Sequence, residues 1–303
     1  MRRFYKNIAV LLLLFFIIDK PIGFLISKGV QLKQFDQRIA LICEKKIDPE
    51  ILIIGSSRAL NDLDAAEIEK ATNSACYNLG YSGSNLDFHL SVLRIALESE
   101  LSPTKVLLTI DHSQSFKANN QGIFRNDKLL PYSSYNQVYR EICDHANQIY
   151  WLGRGFWMYR ENDNFFNALN YLKNGQDLPD ITSNIDDHGS VILTGRSPKF
   201  NVIGEDVGME PYSKDGEADH LIKSLEEIIE ICLARDIQLS LVFPPVLKFR
   251  AVGFRERIDE LVKRRAEILD FSSLNLEEEY FYDNGHLNKK GATALAVELA
   301  RKL

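Results

Sequence analysis

The chain has 303 residues, and its 36 lysines and arginines against 42 aspartates and glutamates give a formal charge of −6. Hydrophobic residues at 45% and charged residues at 26% exclude a disordered or fibrous chain. The acidic balance argues against a nucleic-acid partner, whose footprint would be basic.

A chain of this length can bury a sizeable core, as one large domain or two smaller ones. Cys43, Cys76, Cys143 and Cys232 are scattered and form no CxxC pair, so neither a disulfide scaffold nor a zinc site is signalled. No group of ligands at metal spacing and no cofactor motif appears, so neither a metal nor a cofactor is expected.

Arg2, Arg3 and Lys6 precede an unbroken apolar run from Ile8 to Ile18; Asp19, Lys20 and Pro21 interrupt it and Ile22 to Ile26 resume it. Counted through to Ile26 it approaches the roughly 20 residues that a bilayer crossing needs. A signal peptide shares the basic start, but Ser27–Gly29 offers no clear small-residue cleavage site. A buried core helix would carry a polar face, which this run lacks. Residues 1–29 therefore read as an uncleaved signal-anchor. The basic start places the N-terminus in the cytoplasm and the rest of the chain outside it, in the periplasm or at the cell surface.

Residues 30–48 read as a helical connector. Ile51–Ile54, closed by Gly55, is the first strand, and its purely apolar character fits a strand buried on both faces. A helix is expected from about Asp62 to Ala71, a second strand over Ala75–Leu79 and a helix over Leu86–Leu97. Val106–Ile110 reads as the third strand. Residues 114–215 then break the alternation. Eleven aromatics fall within 132–171, both tryptophans (Trp151 and Trp157) among them, which suggests a partly helical insertion with a looser second half. Alternation resumes with a helix at His220–Ala234, a strand at Ile237–Phe243, a helix at Phe254–Lys263, a strand at Glu267–Phe271 and a closing helix at Lys289–Leu303. The pattern predicts a three-layer α/β/α domain over residues 49–303, with a five-stranded parallel sheet of flavodoxin-like type.

In such sheets reactive groups gather at the carboxyl ends of the strands. The first strand ends in Gly55-Ser56-Ser57-Arg58, where a sharp turn sets a serine at a helix N-terminus beside N–H groups suited to an oxyanion. Taken alone, either serine is as well explained as a helix cap. The second strand runs into Asn78-Leu79-Gly80-Tyr81-Ser82-Gly83-Ser84-Asn85, whose two glycines permit close approach to a ligand, although a plain turn explains them equally. Before the last helix, Tyr282-Asp283-Asn284-Gly285-His286 puts a carboxylate three residues from a histidine. It can accept the Nδ1–H and leave Nε2 as a base, and a capping loop with a surface histidine is the ordinary alternative. His89, His112, His145, His188 and His220 show no such arrangement.

The order of these three blocks resembles the SGNH/GDSL hydrolase family, over roughly 49–113 and 217–303. The resemblance implies Ser57 as nucleophile, Asp283 and His286 as acid and base, and the Gly83 N–H in the oxyanion hole. Two departures stand out. The usual GDS triplet is Gly55-Ser56-Ser57, and the GxND block is replaced by Asp111-His112-Ser113, with Ser113 about where the oxyanion asparagine would fall. Loss of one such donor costs on the order of 100-fold in rate. The G-S-S start, the anchor and the missing block look like the membrane-anchored branch that acts in cell-envelope acylation, such as the D-alanyl-lipoteichoic acid and alginate O-acetylation proteins. That likeness implies an acylated glycan or glycopolymer as substrate and a membrane-bound acyltransferase as partner.

Four further side chains are candidate substrate contacts. Arg58 would meet an anionic group, Asn85 lies in the second loop, and Trp151 and Trp157 would stack on sugars. A surface salt bridge is the commoner fate of an arginine like Arg58, and the aromatics equally suit the insertion's own core. The competing functional reading is a catalytically impaired binding or scaffold protein on the same fold, favoured by the missing GxND block and opposed by the retention of Ser57, Asp283 and His286 together.

Overall fold

The computed structural model describes residues 1–31, 36–110, 115–118, 122–145, 149–161, 185–198, 211–247 and 252–303. Helix α1 (Arg2–Gln31) opens the chain and α2 (Arg38–Cys43) follows. Then come β1 (Ile51–Gly55), α3 (Ser57–Asp62), α4 (Ala65–Thr72), β2 (Cys76–Gly80), α5 (Leu86–Glu98) and β3 (Lys105–Thr109). Three short helices, α6 (Asn126–Leu129), α7 (Asn136–His145) and α8 (Trp157–Arg160), precede α9 (Asp219–Ala234). The chain closes with β4 (Gln238–Phe243), α10 (Phe254–Val262), β5 (Glu267–Asp270) and α11 (Lys289–Ala300). Two compact units result, one of residues 1–43 and 125–183, the other of residues 44–124 and 184–303. The described residues of the span 114–215 are thus divided between them: 125–161 fall with the N-terminal helices, and those before 125 and after 184 with the sheet.

The sheet unit has five parallel strands in the order β2-β1-β3-β4-β5. Every residue of β1 is buried, as its unbroken Ile-Leu-Ile-Ile composition requires of a strand covered on both faces. One core groups Ile51 and Ile53 with Leu107, Val242 and Leu269 of the sheet, with Leu63 between α3 and α4, and with Ile68, Leu295 and Leu299 of the helices. The chain leaves β1 for β2 on one side and returns to β3 on the other. The carboxyl end of β1 is therefore the point where the winding reverses and a crevice opens.

The helix expected from about Asp62 to Ala71 is α4, which starts three residues later at Ala65, and α3 before it is a separate helix. Asp64 adopts an extended conformation and its carboxylate caps α4 by accepting from Glu67 N at 3.1 Å, so local side-chain bonding ends one helix and starts the next. The other strands and helices expected from Ile51 onward lie within three residues of their observed ends, whereas the connector expected over 30–48 is helical beyond α1 only at Arg38–Cys43 among its described residues. The other unit holds α1, α2, α6, α7 and α8, and Arg38 is buried there against Asp36 with bonds of 2.9 and 2.7 Å. Its α1 is long and apolar enough to cross a membrane.

Candidate active site

Gly55 ends β1 with φ +146°, and a methyl group there would overlap Thr109 Oγ1 and lie 2.9 Å from Ala59 Cβ. Only glycine allows so tight an exit between two strands. The exit places Ser56 as the cap of α3, its Oγ accepting from Arg58 N at 3.3 Å. Ser57 therefore starts the helix, with its hydroxyl free for other work. The two serines divide the roles that the sequence left open between them.

Ser57 Oγ lies 2.8 Å from His286 Nε2, across 229 residues of sequence. On the other side of the ring, His286 Nδ1 is 3.0 and 3.1 Å from the two oxygens of Asp283. Asp283 Oδ1 also accepts from the backbone N–H groups of Gly285 and His286, each at 2.8 Å. The turn thus fixes its own carboxylate, and the carboxylate fixes the imidazole as the Nδ1–H tautomer with Nε2 as acceptor for the serine proton. Burial alone would lower the His286 pKa. The Asp283 bond and the charges of Asp62 and Asp283 outweigh it and hold the ring above its ordinary value, against a smaller opposing charge from Arg58. Burial would likewise raise the Asp283 pKa, but the His286 bond and charge and the two backbone donors bring it below the usual carboxylate value. Side-chain exposures of 25% for His286 and 36% for Asp283 leave the relay open to water.

The loop after β2 is tied to the same place. Tyr81 N donates to Gly55 O at 2.9 Å, and Ser84 Oγ donates to Tyr81 O at 2.6 Å. Ser84 in turn accepts from His89 Nε2 at 2.8 Å. Burial pulls His89 down to about 3, so it stays neutral and serves as a structural strut. Gly83 stands exposed at the tip of this turn, and among the described residues nothing accepts its N–H. That N–H and the N–H of Ser57, at the start of α3, are the two backbone donors expected at an oxyanion.

Two of the expected substrate contacts are committed elsewhere. Arg58 is not a surface ion pair and does not face a ligand: it is 4% exposed, Nε donates to Asp62 Oδ2 at 3.1 Å and Nη2 donates to Pro245 O. Helix geometry places positions 58 and 62 on one face, which turns the guanidinium inward. Asn85 caps α5, accepting from Phe88 N at 3.1 Å. Trp157 belongs to the other unit, as does the backbone of Trp151, and Ser113 lies outside the described residues, together with Asp111 and His112.

Asp62 is the residue that sequence reasoning missed. Fully buried, it accepts from Leu287 N at 2.8 Å through Oδ1 while Oδ2 holds Arg58. It ties the segment that carries His286 to the helix that carries Ser57. Its only sequence signal is the i, i+4 spacing from Arg58. Among the described residues no group of His, Cys, Asp or Glu is arranged to hold a metal ion.

No family model and no curated relative matches the chain. Among solved structures it is similar to a GDSL-like lipase from Bacteroides thetaiotaomicron, at 12% identity over 88% of this chain and 97% of that one, with a TM-score of 0.43. An acetyl xylan esterase from the rumen bacterium Butyrivibrio proteoclasticus matches at 12% identity over 84% of this chain and 63% of that one, with a TM-score of 0.37. Likeness this faint does not fix an activity, so the chemistry rests on the residues of the site itself.

Proposed function

We propose that the chain is a serine-dependent acyl-ester hydrolase, held at a membrane by α1. The single observation that carries this reading is the continuous Ser57–His286–Asp283 relay. Ser57 Oγ attacks the ester carbonyl as His286 Nε2 takes its proton, and the oxyanion that forms turns toward the N–H groups of Ser57 and Gly83. His286 then returns the proton to the leaving alcohol, and an acyl-Ser57 intermediate remains. Water, deprotonated by the same histidine, releases the acid. Transfer differs only in the last step, where a sugar hydroxyl replaces water. The relay's openness to solvent favours hydrolysis, whereas transfer needs a site that excludes water.

The resemblance noted in the sequence points to an acyl ester of an envelope glycan or glycopolymer as substrate, with a membrane-bound acyltransferase as partner and the sheet unit outside the cytoplasm. Retention of α1 as an anchor, rather than its loss as a signal, is supported by its own contacts: Asp19 and Gly23 are packed against the backbone around Trp157 and would be lost on cleavage.

The test is a fluorophosphonate probe on the full chain, read by intact mass and peptide mapping, with hydrolysis of a nitrophenyl acetate followed in parallel. The expected result is a single adduct on Ser57 and turnover, both abolished by Ser57→Ala and His286→Ala. A folded wild-type chain that neither labels nor turns over would overturn the esterase reading and favour the scaffold alternative.

A further inference from the structure

Helix α1 carries a polar interruption within its apolar length, and the structure shows what that interruption holds. Asp19 is fully buried: Oδ2 accepts from Trp157 N at 2.8 Å and Oδ1 from Met158 N at 2.9 Å. Lys20 Nζ donates to Gly155 O and lies 4.6 Å from the centre of the Phe16 ring and 5.1 Å from that of Trp157. Four residues beyond Asp19, Gly23 leaves no room for a side chain, because a methyl group would overlap Trp157 Cβ. One turn before Asp19, the Phe15 and Phe16 rings pack on Phe156 with centroids 6.0 and 6.1 Å apart. Positions 15, 19 and 23 fall on one face of a helix, so a single stripe of α1 grips residues 155–158.

Length places this grip inside the bilayer. Ile8 to Ile26 spans about 28 Å at 1.5 Å per residue, close to the ~30 Å of hydrocarbon that a crossing must fill. Asp19 lies seven residues before the end of that run, roughly 10 Å below the outer edge. The run Ile8–Ile18 alone would be about 17 Å, too short to cross. A carboxylate at that depth needs protein partners, and it has them in two backbone N–H groups. The segment that supplies them is apolar and aromatic (Phe156, Trp157, Met158, Tyr159), yet none of Trp157–Arg160 is buried. Phe156–Arg160 are half-buried, packed on α1 through Phe156, and keep part of their surface open. Tryptophan and tyrosine beside a partly exposed cation, here Lys20 with 32% of its side chain exposed, are the composition of a membrane interface, while Arg160 stacks on Trp157 at 4.9 Å and pairs with Glu161 at 3.4 Å.

We propose that Phe156–Arg160 is a second lipid-contacting element, seated in the outer leaflet beside α1 and held there by the Asp19 carboxylate and the Gly23 gap. The occupant of its open face is lipid: acyl chains against the rings, headgroups toward Lys20. This rests on α1 being a retained anchor, and the experiment separates the two ideas.

Both tryptophans of the chain, Trp151 and Trp157, lie in or next to this segment, so Trp151→Phe makes Trp157 the sole reporter. The full chain is reconstituted in vesicles of phosphatidylcholine and phosphatidylglycerol brominated either near the headgroup end or at the middle of the acyl chains. Flotation on a density gradient after alkaline washing reports the anchor. The expected result is flotation together with tryptophan emission at least halved by the shallow bromines, less affected by the deep ones and shielded from aqueous iodide. Asp19→Ala should still float, but lose the bromine quenching and gain iodide quenching. Flotation with emission indifferent to both brominated lipids overturns the proposal and leaves the anchor standing, while failure to float overturns both. Bromine quenching unchanged in Asp19→Ala overturns the role given to the clasp. If Trp151→Phe unfolds, the wild-type chain gives the same readout from its two tryptophans.

Discussion

Replacing Asp62 by Asn is the sharpest test of the site, because it removes a charge while keeping shape. The asparagine carbonyl can still accept from Leu287 N, now bonded at 2.8 Å, so the segment carrying His286 keeps its anchor. The Arg58 guanidinium, however, loses the carboxylate at 3.1 Å, with side-chain exposures of 5% and 0% on the two partners. Breaking one side of a buried pair costs about 3–5 kcal/mol, since the other charge stays desolvated. Arg58 keeps Pro245 O, and the surviving Leu287 bond limits rearrangement, which puts the expected loss near the lower figure. For a folding unit of this size, about 3 kcal/mol corresponds to roughly 6–12 °C in Tm, measurable by circular dichroism. A second readout separates this loss from a change in chemistry. The Asp62 charge helps to hold the His286 pKa up, so the acid limb of the kcat/KM profile should move to lower pH in Asp62→Asn. A double-mutant cycle with Arg58→Met would show the two positions coupled. A melting temperature within a degree or two of wild type, or an acid limb that stays put or moves up, would refute the account of Asp62 as the charged tie between the two halves of the relay.

Three further outcomes follow from the same geometry. Asp283→Asn should lower kcat by about 10⁴ with little change in KM, because an amide there favours the wrong imidazole tautomer; steady-state kinetics with the nitrophenyl ester measure it. In wild type, kcat/KM should fall as pH drops through the His286 pKa, at a pH above the ordinary histidine value, since the imidazolium cannot accept the Ser57 proton; a rate unchanged well below that pH would refute the base assignment. Gly55→Ala should destabilise the sheet unit by several kcal/mol, on the order of the cost of a strained backbone plus an overpacked contact, and should lower the yield of folded protein in a thermal-shift assay.

The parts of the fold that were legible were those written in apolar continuity. The strand Ile51–Ile54 could be read because a strand buried on both faces tolerates no polar residue, and the closing helix because Leu295 and Leu299 repeat at helical spacing. The break at Leu63–Asp64 was not legible, because a carboxylate in a helical pattern looks like a surface charge until its bond to Glu67 N is seen. Arg58 was misjudged for a related reason. Composition gives a charge no direction, and whether an arginine faces water or a buried Asp62 depends on which side of α3 meets the sheet. The relay itself was legible only through the order of its blocks. No local feature distinguishes Ser57 from Ser56 or makes Asp283 and His286 more than a capped turn; their roles come from a contact between positions 229 residues apart.

That long separation has a physical consequence for how the site forms. Ser57 and Asp62 belong to the first helix after β1, while His286 and Leu287 lie beyond β5, at the far end of a sheet ordered β2-β1-β3-β4-β5. Two bonds, Ser57 to His286 and Asp62 to Leu287, close the same loop of chain from neighbouring residues on both sides. Both lie beside the start of α11, which Asn288 caps by accepting from Lys290 N at 3.0 Å while its Nδ2 donates to Glu279 O at 2.7 Å. An activated serine thus depends on a contact between the two ends of the sheet unit's sequence. Without that contact Ser57 is an ordinary hydroxyl, because its base comes from the other end of the sequence.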